Sequence, residues 1–341
     1  MKLLTVGLPV HNAGRFLPEA VNSLLRQTYE DFELLLVDDG STDGSLEYLK
    51  SINDRRVRLI SQQHSGLTAT LNRMLAEAAT PWLVRHDADD VAFPERLALT
   101  AESIRRFPEA GMFYSYARYY QDDRIFGNFR TTSGTPEQLR ELTKAGYLLA
   151  ICHPAVTLNV GKAVEAGGYR FDLHVEDADL WWRMALAYEI RLIPTATVAV
   201  RHNQSSVSAN NFEGQCTNTL YIQYLLLSHL RGLTPLPHAE VYDRLRVILN
   251  HRQMRFREHS RLTNILLNKK ALVRALQHAT MAFAASPTQF AKRVLYEFRP
   301  SGLVSNGEDP ERFYAQRSLL WPQYDPLPFD STNPAARPTL A

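Results

Sequence analysis

Phe32-Glu33-Leu34-Leu35-Leu36-Val37-Asp38-Asp39-Gly40-Ser41-Thr42-Asp43-Gly44 passes abruptly from a mainly apolar run to a stretch of turn-forming residues. An apolar run ended by Asp, Gly and Ser reads as a buried strand that stops at a polar loop. Two adjacent carboxylates at a strand end are costly unless they are hydrogen-bonded or face a polar ligand. A carboxylate there can accept a base N–H or a ribose hydroxyl, although the same residues also suit a turn with a helix cap.

Outward from this stretch, strand and helix signals alternate. Leu3–Val10, Val57–Ile60 and Trp82–Arg85 read as strands. Phe16, Ala20, Leu24 and Leu25 keep helical spacing, and helices are expected at Ser45–Ser51, at Leu67–Ala78 and from Pro94 to near Phe107. Alternation of this kind over residues 1–110 predicts a parallel α/β sheet. Its polar punctuation falls after the strands: Pro9-Val10-His11-Asn12, Asp38-Asp39-Gly40-Ser41, Gln62-Gln63-His64-Ser65-Gly66 and Asp87-Ala88-Asp89-Asp90. Open α/β sheets bind ligands beyond the carboxyl ends of their strands, so these loops predict one binding crevice.

Further along, Met112–Tyr120 and Ala155–Leu158 read as strands, with a loop or insertion between them. Asp177–Tyr188 reads as a helix, and Ile190–Ile193 and Ala196–Arg201 as strands. Helical character runs from about residue 211 to 299, and the Pro-dense stretch 300–341 is expected to be irregular. The organisation expected is one α/β domain over 1–210, a helical basic extension over 211–299 and a tail over 300–341.

Asp87-Ala88-Asp89-Asp90 places three carboxylates in four residues. Like charges this close raise one another's pKa unless a cation compensates them. Oxygen-rich clusters suit Mg2+ or Mn2+, which take further ligands from phosphates and water. A solvated acidic loop capping the next helix is the plainer alternative.

Bulk properties exclude several classes. The 341 residues are 45% hydrophobic and 22% charged, which is ordinary for a globular protein. Two cysteines, Cys152 and Cys216, make no disulfide framework and suggest a reducing compartment. Cys152 beside His153 reads better as a buried structural cysteine than as a nucleophile. No apolar run reaches the length of a membrane span, and Lys2 with Leu3–Leu8 reads as a strand, not a leader. A cytoplasmic protein, soluble or peripheral on the inner face of the cell membrane, is expected. Residues 241–300 hold twelve Lys/Arg against three Asp/Glu, a net +9 in a chain whose total is only +2. Such a segment can meet an anionic membrane surface or serve as a solvated face; its few aromatics show no stacking pattern for nucleic acid.

At this point the sequence resembles a known family. Ser23-Leu-Leu-Arg-Gln27-Thr28-Tyr29 through Gly44, Gly66-Leu67-Thr-Ala-Thr-Leu-Asn72, and Arg85-His86-Asp87-Ala88-Asp89-Asp90 with Pro94-Glu-Arg96-Leu97 look like successive signatures of inverting family-2 glycosyltransferases. Gly167-Gly168-Tyr169 and Glu176-Asp177-Ala-Asp179-Leu180-Trp181-Trp182-Arg183 resemble that family's acceptor-side motif. The resemblance covers residues 3 to about 203. It implies an α/β GT-A fold: a Rossmann-like mixed sheet with helices on both faces, here followed by a helical C-terminal extension.

The resemblance also implies roles. Pro9, His11, Asp38, Asp39, Gly66, Asn72 and Arg85 would frame a nucleotide sugar, with Asp39 on the base and Asp87 near the ribose. Asp89, with Asp87 and His202 as further candidates, would hold Mn2+ or Mg2+, and Asp90 is a spare carboxylate. Asp177 would be the catalytic base; spacing alone leaves Glu176, Asp177 and Asp179 equivalent. Glu176, His153 and Trp181 would lie on the acceptor side, although tryptophans at this spacing also pack cores. The partners the resemblance implies are a nucleotide-sugar donor, expected to be UDP-linked, and a saccharide or lipid-linked saccharide acceptor of bacterial surface polysaccharide or lipopolysaccharide synthesis.

Two rival readings remain. A nucleotidyltransferase would need a Gly-rich basic loop that Leu8–Arg15 lacks, and no G-x-G-x-x-G follows the first strand to suggest a dehydrogenase. A binding module without transfer activity would keep the fold and dock through its basic helices.

Overall fold

The computed structural model describes residues 2–121, 124–201, 212–268, 271–298 and 302–324. Strands β1 (Leu4–Val10), β2 (Phe32–Asp39), β3 (Val57–Gln62) and β4 (Trp82–Arg85) pair in the order β3-β2-β1-β4, all parallel. Helices α1 (Leu17–Leu25), α2 (Ser45–Lys50) and α3 (Leu67–Glu77) make the crossovers. Both faces of these strands are covered, which is why β2 is buried at every position and reads as a continuous apolar run. Leu34 and Leu36 pack with α1, while Leu35 and Val37 turn to the opposite face and pack with α3.

Beyond β4 the sheet becomes mixed. After the two-residue β5 (Val91–Ala92) and α4 (Arg96–Arg106) come β6 (Met112–Gln121) and β7 (Arg124–Asn128). Then follow α5 (Pro136–Lys144), β8 (Leu148–Leu149), β9 (Val156–Asn159), α6 (Val160–Glu165), α7 (Glu176–Ala187) and β10 (Ile190–Arg201). β9 inserts antiparallel between β4 and β6, and β10 runs parallel to β6. The stretch between β6 and β9 is therefore no simple loop. It holds β7, β8 and a helix whose start is fixed by a Thr135/Gln138 capping box. The two segments expected at 190–193 and 196–201 are one strand, with pairing irregularities around Ala196.

The C-terminal part comprises α8 (Phe212–Leu230), α9 (His238–Leu245), α10 (His251–Asn268), α11 (Leu272–Ala285) and α12 (Pro287–Phe298). No helix among the described residues is long and apolar enough to cross a membrane. α8 is buried against α7 and carries polar side chains inward because they have partners: Gln223 Nε2 donates to the carbonyls of Gly146 and Glu308.

The expectation of an irregular tail fails for residues 302–324. Ser305–Asn306 forms β11 on β8, and two short helices, α13 (Pro310–Tyr314) and α14 (Arg317–Leu320), follow. Phe313, Leu320 and Trp321 are fully buried against α8, and Trp321 Nε1 donates to Ser228 Oγ at 2.9 Å. The prolines there start helices and punctuate turns, while the aromatics between them supply the packing.

Candidate active site

The parallel register brings Val10 beside Asp38 and Asp39 beside Gln62, so three polar strand ends meet at one edge. Pro9 is buried within β1 at that edge. Asp38 is fully buried; its carboxylate accepts from Ser41 N–H at 3.3 Å and Ser61 Oγ at 3.1 Å, which shapes the turn. Asp39 gathers the next loop: its carboxylate accepts from Gln62 Nε2 (2.8 Å), Ser65 N–H (2.8 Å) and Gly66 N–H (3.0 Å), and its backbone carbonyl accepts from His64 Nδ1 (3.2 Å). Burial pushes the Asp39 carboxyl up, but these donors outweigh it and hold its pKa below the ordinary value. Gly40 sits at φ +70°, and a Cβ there would meet His64 N at 2.8 Å, so only glycine lets the loop close.

The exposed rings of His11 and His64 stack over this loop, 4.1 Å apart. His11 Nδ1 donates to the Asp39 carbonyl at 2.7 Å, leaving Nε2 to accept from Asn12 Nδ2 at 3.1 Å. Asn72 lies elsewhere: its amide makes both hydrogen bonds to the Tyr169 backbone, at 2.7 and 2.9 Å. It ties α3 to the Gly167-Gly168-Tyr169 turn, and a Cβ on Gly168 would strike its Oδ1 at 2.7 Å.

After β4 the chain supplies the acidic cluster. Ligand atoms of Asp87, Asp89 and Asp90 lie within 4.8 Å of one another. Asp87 is ion-paired with buried Arg85, whose Nε finds no hydrogen-bond partner among the described residues. Asp90 accepts from Arg201 N–H through Oδ1 at 2.8 Å, while its Oδ2 is buried with no hydrogen-bond partner among the described residues. Burial and then the Asp87 charge push Asp89 up to about 6 and Asp90 well above the usual carboxylate range. Carboxylates crowded this way, one oxygen orphaned, fit a hard divalent cation, which would supply the missing charge and ligand. Since Asp87 already faces Arg85, Asp89 and Asp90 have the oxygens best placed to serve it. His202, the other candidate ligand, lies outside the described residues.

A cavity of about 1210 Å³ joins this cluster to α7. Glu176 and Asp177 stand in the first turn of α7, with Trp181 one turn on. The three carboxylates of this motif are not equivalent. Asp179 is fully buried and held by Arg170 and Arg183, each at 2.6 Å, and by Trp182 Nε1 at 3.2 Å. Asp177 lines the cavity with Oδ1 accepting from Ala178 N–H, and burial pushes its carboxyl up to about 6. Glu176 is pushed further, to about 8, by burial and by the Asp177 charge. His153 stands 3.7 Å from Glu176 and 3.1 Å from the Tyr169 hydroxyl; burial keeps its pKa well below 6.5, so it is neutral. Trp181 is 1% exposed, a core residue whose edge reaches the cavity. Cys152 also lines the cavity, but burial drives its thiol pKa well above 9.0, as befits a structural cysteine.

Several residues have contacts at the site that sequence reasoning did not give them, including Arg85, which it placed only with the nucleotide sugar. Arg85 is the charge common to both halves: its cation lowers the pKa of Asp89 and Asp90 and likewise of Glu176 and Asp177. Arg96, visible only as part of a signature, is 1% exposed and ties the acidic loop to the His153 loop. Arg201 anchors the end of β10 through Asp89 O, the Asp90 carboxylate and Glu19. The basic segment contributes as well: Arg257, Arg261, Lys292 and Arg293 line the cavity.

Residues 5–164 match the model of the family described as glycosyl transferase family 2. A putative glycosyltransferase of Bacillus subtilis, EpsE, is 28% identical over 194 residues, 53% of this chain and 66% of EpsE. The matches cover still less of the next relatives, 42% and 29% of their lengths. Among solved structures, S. aureus TarS 1–349 in complex with UDP-GlcNAc aligns with a TM-score of 0.51 at 17% identity, over 86% of this chain and 82% of that one. The mannosyltransferase PcManGT from Pyrobaculum calidifontis, in complex with GDP-Man and Mn2+, aligns with a TM-score of 0.51 at 16% identity, over 87% and 81%. The fold is thus the GT-A fold of glycosyltransferases, and residues 5–164 carry the match to glycosyl transferase family 2.

Proposed function

We propose that the protein transfers a sugar, with inversion, from a nucleoside-diphosphate sugar to an acceptor hydroxyl, and that Asp177 is the base. The observation that carries this reading is the pair of carboxyl sites, Asp89–Asp90 and Glu176–Asp177, facing one cavity with the Arg85 cation acting on both.

The loop held by Asp39, with the His11–His64 stack, offers a flat face and polar edges to the base, and Asp87 lies toward the ribose and phosphates. Asp89 and Asp90 would hold Mg2+ or Mn2+, with Arg85 keeping Asp87 in place. The bound cation would neutralise charge developing on the leaving diphosphate. An acceptor hydroxyl, whose pKa is far above neutrality, needs a positioned base as it attacks the anomeric carbon. Of the three carboxylates in the motif, Asp179 is spent on two arginines and Glu176, at about 8, is protonated at neutral pH. Asp177, at about 6, is ionised there and can take the hydroxyl proton. Attack from the Asp177 side, opposite the diphosphate, inverts the anomeric carbon.

A UDP-sugar is the donor class favoured, because a structural neighbour of the same fold binds UDP-GlcNAc. Bacterial surface polysaccharide or lipopolysaccharide synthesis is the setting proposed. The test is to screen UDP- and GDP-sugars for nucleoside diphosphate release in Mg2+ or Mn2+; no release or binding of any sugar nucleotide would overturn the reading.

A further inference from the structure

The cavity has two charged walls. Asp87, Asp89, Asp90, Glu176 and Asp177 form the wall built by the sheet edge and α7, whereas Arg257, Arg261, Lys292 and Arg293 come from α10 and α12. The proposed chemistry uses the acidic wall and leaves the basic one without a task. Arg257 carries a buried Nη2 with no hydrogen-bond partner among the described residues. Arg293 bridges from α12 to the carbonyl of Asn128 on β7, so this wall is docked onto the core. Burial lowers the pKa of Arg261, with the Tyr119 hydroxyl the leading charge opposing that shift.

The two walls are separate anion environments. The cations in contact with the acidic loop are Arg85, paired with Asp87, and Arg201, whose Nε donates to the Asp89 carbonyl at 2.8 Å; neither belongs to the basic wall. A diphosphate neutralised by a cation at Asp89–Asp90 would therefore not need the basic wall. About 1210 Å³ exceeds the roughly 300–1,000 Å³ of an ordinary small-molecule pocket, which leaves room for a second ligand. Neutral sugar hydroxyls gain little from a row of cations, whereas guanidinium groups bind phosphate through paired, charge-assisted hydrogen bonds.

We propose that the acceptor carries a phosphate group, held by Arg257, Arg261, Lys292 and Arg293 while its reactive hydroxyl lies at Asp177. This rests on the transferase reading above and adds the acceptor's chemical class. The phosphate can belong to a soluble phosphosaccharide or to a saccharide linked to lipid at a membrane. The second source gains from the exposed Leu272, Val273, Leu276, Phe283 and Leu295 on α11 and α12, since Leu295 also lines the cavity.

The test titrates inorganic phosphate into the full chain already saturated with Mg2+ and UDP, by calorimetry and thermal shift. Wild type is expected to bind phosphate in the presence of UDP. Arg257→Gln/Lys292→Gln is expected to bind it about tenfold or more weakly with UDP affinity unchanged. Lys292→Gln alone, at an exposed position, should weaken phosphate without lowering the melting temperature. No phosphate binding to the UDP-loaded protein would overturn the proposal, and so would a double variant that weakens UDP and phosphate alike, because the wall would then serve the donor. Failure of wild type to bind either UDP or GDP would instead sink the transferase reading. Co-sedimentation with phosphatidylcholine vesicles, with and without phosphatidylglycerol, separates the sources. Binding that needs phosphatidylglycerol and is lost in Leu276→Asp assigns a lipid-borne phosphate; phosphate binding without it assigns a soluble one.

Discussion

Arg96 Nη1 donates to His86 Nδ1 at 2.7 Å and so fixes the tautomer whose Nε2 donates to the Asp90 carbonyl, at 3.2 Å. The same guanidinium donates through Nη2 to the carbonyls of Arg85 and Pro154, both at 2.6 Å. One buried side chain thus ties the acidic loop to the His153 loop. Arg96→Lys keeps a charge but cannot fork to all three acceptors. Loss of about 3 kcal/mol in stability is expected, with weaker Mn2+ binding. Denaturant unfolding and a Mn2+ titration check this, and wild-type behaviour in both would show that the network positions nothing.

Asp177 and Asp179 should separate cleanly. Asp179→Asn strips two arginines of their buried counter-charge and should cost about 3 kcal/mol or more. Asp177→Asn should fold at least as well as wild type, because an ionised carboxylate there is disfavoured by burial. Transfer should fall about 10²–10⁴-fold in Asp177→Asn. Melting curves and initial rates on the two variants decide it; equal melting temperatures would contradict the assignment of Asp179 as structural.

The pH profile follows from the same pair. Transfer needs Asp177 ionised, so kcat/KM should rise through about 6. It should fall as Glu176 ionises near 8 and sets a second negative charge beside the base. The apparent values belong to the coupled pair, so Glu176→Gln should shift the acid limb and abolish the alkaline one. Both groups have folded pKa values above the ordinary 4.5 of a glutamate and 3.8 of an aspartate. The unfolded chain therefore releases these protons first, and folding stability should decline as pH rises through about 4 to 8. A flat rate profile across that window would contradict the carboxylate pair.

How much of this was legible in the sequence follows from how far apart in sequence the partners are. The strand ends at Asp38–Asp39 and Asp87–Asp90 were legible because strand and turn chemistry are local. What Asp38 does was not, since its partner Ser61 comes from a neighbouring strand 23 residues on. Asn72 was placed with the nucleotide by resemblance, yet its partner Tyr169 is 97 residues away and belongs to the other half. The choice among Glu176, Asp177 and Asp179 needed Arg170 and Arg183 in space. The basic segment was visible as charge, but only packing reveals which of its side chains enter the cavity.

The tail gives a further prediction. Trp321 is fully buried on Tyr224 and Ser228, so Trp321→Ala opens a large cavity in the C-terminal core. A loss of about 3–5 kcal/mol is expected, measured by denaturant unfolding. A loss below about 1 kcal/mol would mean that the tail adds little to the fold.

The central claim, a donor site at Asp89–Asp90 and a base at Asp177 in one cavity, is tested most directly on Asp177→Asn and Asp89→Asn together. The measurement is UDP affinity in Mg2+ or Mn2+ beside sugar transfer, once the donor screen has named a substrate. Asp177→Asn is predicted to bind UDP with its metal as wild type does and to transfer about 10²–10⁴-fold more slowly, while Asp89→Asn loses metal-dependent UDP binding as well. Preserved transfer in Asp177→Asn would contradict it.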